Sequence, residues 1–263
     1  MYPDDYRSKS AAPKRPGTRR VLVVGVGALG CAAARTLAAA PSITTTLVDD
    51  DLVELSNLQR QVLFDDNDIG RLKVEVAAAR LRKDFDANIT TKALRFDANR
   101  GPEWVNAHDI VIDATDDPAT KFLIARVCAD LGTPYVYGGV ARTGGQWLLV
   151  TPGESACLEC VYPTPSEDSG AQDTAGCAAL GILAPVAGLV GAMQAIEVLT
   201  FFHRPERATA GRLHLYEITG ARARHINFPR VPGCYCQRAI GHRNRSQTDP
   251  QQANQAARAI TIH

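Results

Sequence analysis

The run Val21-Leu-Val-Val-Gly25-Val-Gly27-Ala-Leu-Gly30 decides the fold. Unbroken apolar residues before a turn fit a parallel strand covered on both faces. Gly25, Gly27 and Gly30 fit a tight turn into a helix, where backbone can approach a phosphate and helix can pack on strand. A helix N-terminus reached in this way is a seat for a phosphate-bearing nucleotide. The β-branched run Thr44 to Val48 predicts a second strand, with Asp49 at its carboxyl end and 19 residues past Gly30. A carboxylate there accepts hydrogen bonds from a ribose. Taken alone, these residues fit a nicotinamide dehydrogenase equally well.

Further out, the pattern alternates. A helix is predicted from about Arg71 to Lys83, and strands over Ile89 to Phe96 (the less apolar, nearer an edge), His108 to Ala114 and Pro134 to Tyr137. Asp117 before Pro118 predicts an N-cap followed by proline at the first helical position, opening a helix to about Leu131. Such β-α-β alternation argues for an α/β, doubly wound (Rossmann-like), mostly parallel sheet. Beyond Gly138-Gly139 the character changes. A strand is expected over Gln146 to Val150, then a long apolar helix from Ala178 to Phe202 marked or kinked by Pro185. A hairpin follows, Arg212 to Ile218 and Ala223 to Phe228, so antiparallel strands extend the sheet. Residues 1–18 and 238–263 are polar and predict flexible segments flanking one domain over 19–237.

With 45% hydrophobic residues the chain can build a sizeable core, and its net charge of +1 gives no general case for nucleic acid or an anionic membrane as partner. No apolar run is expected to reach the roughly 20 residues of a membrane span. The N-terminus lacks the basic and apolar regions of a signal peptide. These features predict a cytoplasmic protein, whose seven cysteines serve as ligands, nucleophiles or core residues in preference to disulfides.

Chemistry concentrates after Asp49. Arg60 and Lys73 follow it by 11 and 24 positions. A dinucleotide needs little positive charge beyond a helix N-terminus, whereas a triphosphate losing pyrophosphate needs more, because charge builds on the leaving group. Either cation out of context is an ordinary solvated surface charge. Asp116, past strand four on the same sheet edge as Asp49, is a hard carboxylate suited to Mg2+; its bland alternative is a helix cap, which Asp117 already fills. No Gly-x-x-x-x-Gly-Lys-Ser/Thr run occurs, which argues against a P-loop NTPase.

Asp49, Ser56-Asn-Leu-Gln-Arg60-Gln61, Lys73 and Ala114-Thr-Asp116 together resemble the MoeB/ThiF/HesA family, adenylation enzymes related to ubiquitin-activating enzymes. The resemblance continues through Tyr137-Gly138-Gly139, Gln146, Cys157-Leu-Glu-Cys160, Gly181-Ile-Leu-Ala-Pro185 and Gln194-Ala-Ile-Glu197, covering roughly residues 20–236. It implies an ATP-dependent adenylyltransferase acting with Mg2+ on the C-terminal glycine carboxylate of a ubiquitin-like sulfur-carrier protein with a Gly-Gly end. By position, Asp49 holds the ribose, Asn57, Arg60 and Lys73 serve the phosphates, Asp116 binds Mg2+, and Asp117 beside it is a further expected cofactor-binding residue. A carboxylate is nucleophilic at neutral pH, so catalysis is positioning and charge neutralisation. A homodimer is expected, with a sulfur-donor protein as a further partner. Members acting on a peptide or a tRNA base, and a non-catalytic subunit of a heterodimer, are competing expectations.

Cys157 and Cys160 have zinc-knuckle spacing, and Cys234 and Cys236 are expected to close a four-sulfur site. The family has two residues between the second pair, where this chain has only Tyr235. Cys31 and Cys128 are expected in the core. In ThiF-like members a cysteine at the position of Cys177 is associated with sulfur transfer or a covalent link to the carrier; its bland alternative is a small residue opening a helix. The N-terminal arginine segment of many members is matched only by Tyr6-Arg7-Ser8.

Overall fold

The computed structural model describes residues 18–162 and 181–237. Five parallel strands, β1 (Arg19–Val24), β2 (Ile43–Val48), β3 (Asn88–Lys92), β4 (Ile110–Asp113) and β5 (Tyr135–Ala141), are continued by antiparallel β6 (Gly144–Val150), β7 (Arg212–Glu217) and β8 (Arg222–Asn227). The sheet order is β3-β2-β1-β4-β5-β6-β7-β8. Order reverses between β1 and β4, and a crevice opens at such a switch point, outside the carboxyl ends of the strands.

Successive strand residues face opposite ways, and both faces are covered. Val21, Val23, Leu47, Ile112 and Val136 pack under α1 (Ala28–Ala38), α2 (Lys73–Phe85) and α6 (Ala184–His203). Leu22, Val24, Val111, Tyr135 and Leu148 pack under α3 (Gly101–Asn106), α4 (Pro118–Leu131) and α5 (Leu158–Val161). Cys31 on α1 and Cys128 on α4 are fully buried, and burial pushes the Cys31 thiol up to about 12.

The structure revises several expected boundaries. Pro185 stands in the first turn of α6, where its missing N–H costs no hydrogen bond, so it opens the helix and does not kink it. Strand β3 stops at Lys92, and Phe96 is buried against Trp104 from a loop, their rings 6.1 Å apart. Strand β5 continues through Gly138-Gly139 because these residues pair with Trp147 and Gln146 of β6. The expectation that no apolar run reaches membrane-spanning length is also corrected: α6 qualifies by length and composition. It packs on α1 and the sheet, with buried Gln194 donating to the carbonyls of Asp113 and Val136. Residues 1–17, 163–180 and 238–263, including Cys177 and the expected terminal segments, lie outside the described residues.

Candidate active site

A cavity of about 1190 Å³ opens at the crevice between β1 and β4. Gly25, Gly27, Asp49, Asp50, Asp51, Asn57, Arg60, Gln61, Lys73, Asp116 and Asp117 all line it. The glycines divide the work. Gly25 has φ +90°, and a side chain there would meet the Ala114 carbonyl oxygen at 2.8 Å. A Cβ on Gly30 would lie 1.9 Å from the Gly25 carbonyl oxygen, so this residue permits α1 to pack on the turn. Gly27, at the N-cap of α1, has only the Gln61 amide nitrogen nearby, at 3.9 Å. The helix N-terminus is thus open on the cavity side, a seat that suits an anion.

Asp49 is fixed from both sides. One carboxylate oxygen accepts from the Val26 backbone N–H at 2.6 Å, the other from the Asp51 N–H at 2.8 Å. Burial holds its carboxyl above the ordinary Asp range, against those hydrogen bonds and Lys73. Each oxygen keeps a further lone pair for a hydroxyl donor.

The cations are tethered. Lys73, buried at the start of α2, donates to Asp51 at 2.6 Å, leaving two ammonium hydrogens. Arg60 donates to the Asn57 side chain at 2.6 Å and to the Ser56 carbonyl at 3.0 Å. Asn57, on the short 3-10 turn Leu55–Asn57, therefore orients the guanidinium, and Glu54 accepts from both Ser56 and Asn57.

Beyond β4, Asp116 is exposed to the cavity and forms no hydrogen bond or ion pair among the described residues, as a carboxylate free to bind a cation would stand. Asp117 is committed to capping α4, accepting from the Thr120 N–H at 2.9 Å and its hydroxyl at 2.6 Å, with Arg95 at 3.7 Å. Those bonds hold its carboxyl below the usual range.

Sequence reasoning missed Lys121 and Tyr162 in this cavity. Lys121, one turn into α4, donates to the Gly138 carbonyl at 2.7 Å, pairs with buried Asp113 at 3.3 Å and lies 5.0 Å from the centre of the Tyr137 ring. Its spacing of four residues from Asp117 on a helix that opens at the cavity was the available signal. Tyr162 donates to the Gln146 side chain, which donates to the Tyr137 hydroxyl, at 2.8 and 2.9 Å. Gly139 lies beneath, where a Cβ would come within 2.7 Å of that hydroxyl. Among the described residues, the buried side-chain oxygen of Gln61 has no hydrogen-bond partner.

Away from the cavity, Cys157, Cys160, Cys234 and Cys236 converge, with all four sulfurs within 4.8 Å of one another. Cys157 lies 3.7 Å from Cys160 and 3.5 Å from Cys234, and Cys160 lies 4.0 Å from Cys236. Four sulfurs at about 2.3 Å from a tetrahedral zinc would stand roughly 3.8 Å apart, so this donor set fits the metal. The single residue between Cys234 and Cys236 does not keep either sulfur out of the group.

The ThiF family model matches residues 11–236. The sulfur carrier protein ThiS adenylyltransferase of Escherichia coli is 36% identical over 82% of this chain and 84% of its own length. The SAMP-activating enzyme E1 of Haloferax volcanii is 36% identical over 82% and 78%. Among solved structures, the microcin C7 biosynthetic enzyme MccB in complex with N-formylated MccA superposes with a TM-score of 0.73 at 23% identity, over 83% of this chain and 67% of that one, a likeness of fold. The glycine turn, the Asn57–Arg60 pair and Lys73 thus stand in a chain that belongs to the ThiF family.

Proposed function

We propose that this protein is an ATP-dependent adenylyltransferase that activates the C-terminal glycine carboxylate of a ubiquitin-like sulfur-carrier protein. The observation that carries this reading is the joint lining of one cavity by an open helix N-terminus, Asp49, three tethered cations and Asp116, which has no partner among the described residues. The relatives named as adenylyltransferase and activating enzyme support it. Asp49 accepts from the ribose, and Gly27 lets the triphosphate reach the start of α1. Arg60 and Lys73 neutralise charge growing on departing pyrophosphate, and their tethers mean little reorganisation is needed at the moment of reaction. Asp116 would hold Mg2+, which supplies further charge neutralisation. The carrier's carboxylate attacks the α-phosphorus, the bond to the bridging oxygen breaks, and acyl-adenylate and pyrophosphate result. The four cysteines would hold zinc in a structural role. Cys177 is read as the residue that later takes part in sulfur transfer from a donor protein or in a covalent link. The chain is read as a homodimer with α6 near the interface.

The test is ATP–pyrophosphate exchange with Mg2+ and candidate carriers ending in Gly-Gly. Exchange is expected with one carrier, lost in Asp116→Ala and retained in Cys177→Ala, which impairs only later transfer. Absence of exchange with every carrier, or exchange unaltered by Asp116→Ala, overturns the assignment.

A further inference from the structure

The cavity does not end at the nucleotide cradle. It runs along the α4/α5 face of the antiparallel strands to Leu215, Glu217, Arg222 and Arg224. Strand register places Gly139, Gln146, Leu215 and Arg224 in one cross-strand row, and Ala141, Gly144, Glu217 and Arg222 in the next. Both arginines therefore point to the cavity face, while Ala223 and His225 occupy the other. Every residue of β8 is exposed, and neither guanidinium is ion-paired among the described residues. Glu217, opposite Arg222 across β7 and β8, draws on that charge but also accepts from the Thr219 N–H and hydroxyl, whereas Arg224 faces Leu215. Charges on an edge strand commonly deter sheet-to-sheet pairing. That duty does not require both to share a face, nor that face to continue into a cavity.

Resting on the proposed reading, we infer that Arg222 and Arg224 recognise acidic residues in the substrate's extended C-terminal tail and so help select the carrier. The row gives the position. Gly139 and Arg224 are three strand spacings apart, about 14 Å. Extended chain covers about 3.3 Å per residue, so roughly four residues bridge that distance. With the last glycine at Gly138–Gly139, beside Lys121, the acidic side chains fall about four to six residues from the carboxylate.

The experiment uses fluorescein-labelled ten-residue peptides ending in Gly-Gly and measures binding to the full chain by fluorescence anisotropy. Two peptides differ only at the fifth and sixth residues from the end, Asp-Glu in one and Lys-Lys in the other. The acidic peptide is expected to bind about fivefold to tenfold tighter, as two exposed ion pairs allow. The preference should reverse in R222E/R224E, persist in R222K/R224K, and collapse in high salt. Moving Asp-Glu to the far end of the peptide should erase it. Equal affinity for the first two peptides, including none, overturns the inference. So does a preference that survives R222E/R224E in a variant melting with the parent, or one indifferent to position. Binding is read without turnover, so loss of this inference leaves the exchange result standing, and the reverse holds too.

Discussion

A methyl group added at Gly30 would sit 1.9 Å from the carbonyl oxygen of Gly25, whereas one added at Gly27 would meet only a flexible amide at 3.9 Å. The first contact is backbone against a packed helix, so Gly30→Ala must displace α1 at a cost of about 1–3 kcal/mol or more. The second costs no more than the poorer capping of alanine, about 1 kcal/mol. At roughly 2–4 °C per kcal/mol for a chain of this size, Gly30→Ala should lower the melting temperature clearly, and Gly27→Ala only slightly. ATP binding should rank the other way once fold is accounted for, because the Gly27 methyl group projects where the phosphates approach. Calorimetric melting and nucleotide titration of both variants check this. A Gly27→Ala protein that binds ATP like the parent would remove the helix N-terminus from the phosphate site. The tethers of Arg60 and Lys73 carry a related lesson: Asp51 and Asn57 hold the cations in place, so the unit of function is the pair and not the lone charge.

Helix α4 illustrates what local chemistry can specify. Asp117 accepts from Thr120, Pro118 opens the helix, and Gly132 closes it at φ 65°. The opening signals, Asp117 and Pro118, are adjacent in sequence, which is why a helix from Pro118 to about Leu131 was readable from it. Asp117→Ala should cost about 1 kcal/mol, hence a few degrees of melting temperature, while Asp117→Asn keeps an acceptor and most of the stability. Equal losses in the two variants would assign the effect to the charge beside Arg95 and not to the cap. Elsewhere the elements were less legible, for non-local reasons. Phe96 looks like a strand residue because it is apolar, but burial against Trp104 does not require sheet pairing. Gly138-Gly139 looks like a break, but the partner that keeps it in β5 is β6, whose approach no local signal announces. Likewise the spacing from Asp49 exposed Arg60 and Lys73 as cations, while Lys121, one turn past the Asp117 cap, is placed with them by its contacts to Asp113 and Gly138.

At the scale of the whole molecule, the four cysteines tie α5 to a segment far along the chain, across the 76 residues between Cys157 and Cys234. The cluster also reaches α4. Arg126 pairs with Glu159 at 2.7 Å and lies 5.7 Å from the centre of the Tyr235 ring, and the Tyr235 hydroxyl donates to Asp130 at 2.7 Å. Burial pushes the Cys236 thiol up to about 12, and a bound cation would favour its thiolate. A metal present at a thousand times its dissociation constant stabilises a fold by about 4 kcal/mol. Stripping zinc with a chelator should therefore lower the melting temperature by roughly 8–16 °C, and added zinc should restore it. Cys236→Ser should reproduce the loss and be insensitive to the chelator. Because α4 also carries Asp117 and Lys121, ATP affinity should weaken with the metal removed. A melting temperature indifferent to chelator, in protein that contains no bound metal, would refute the zinc reading. A lowered melting temperature with unchanged ATP affinity would instead mean that β1, β2 and α1 hold the nucleotide cradle independently of the cysteine-tied end.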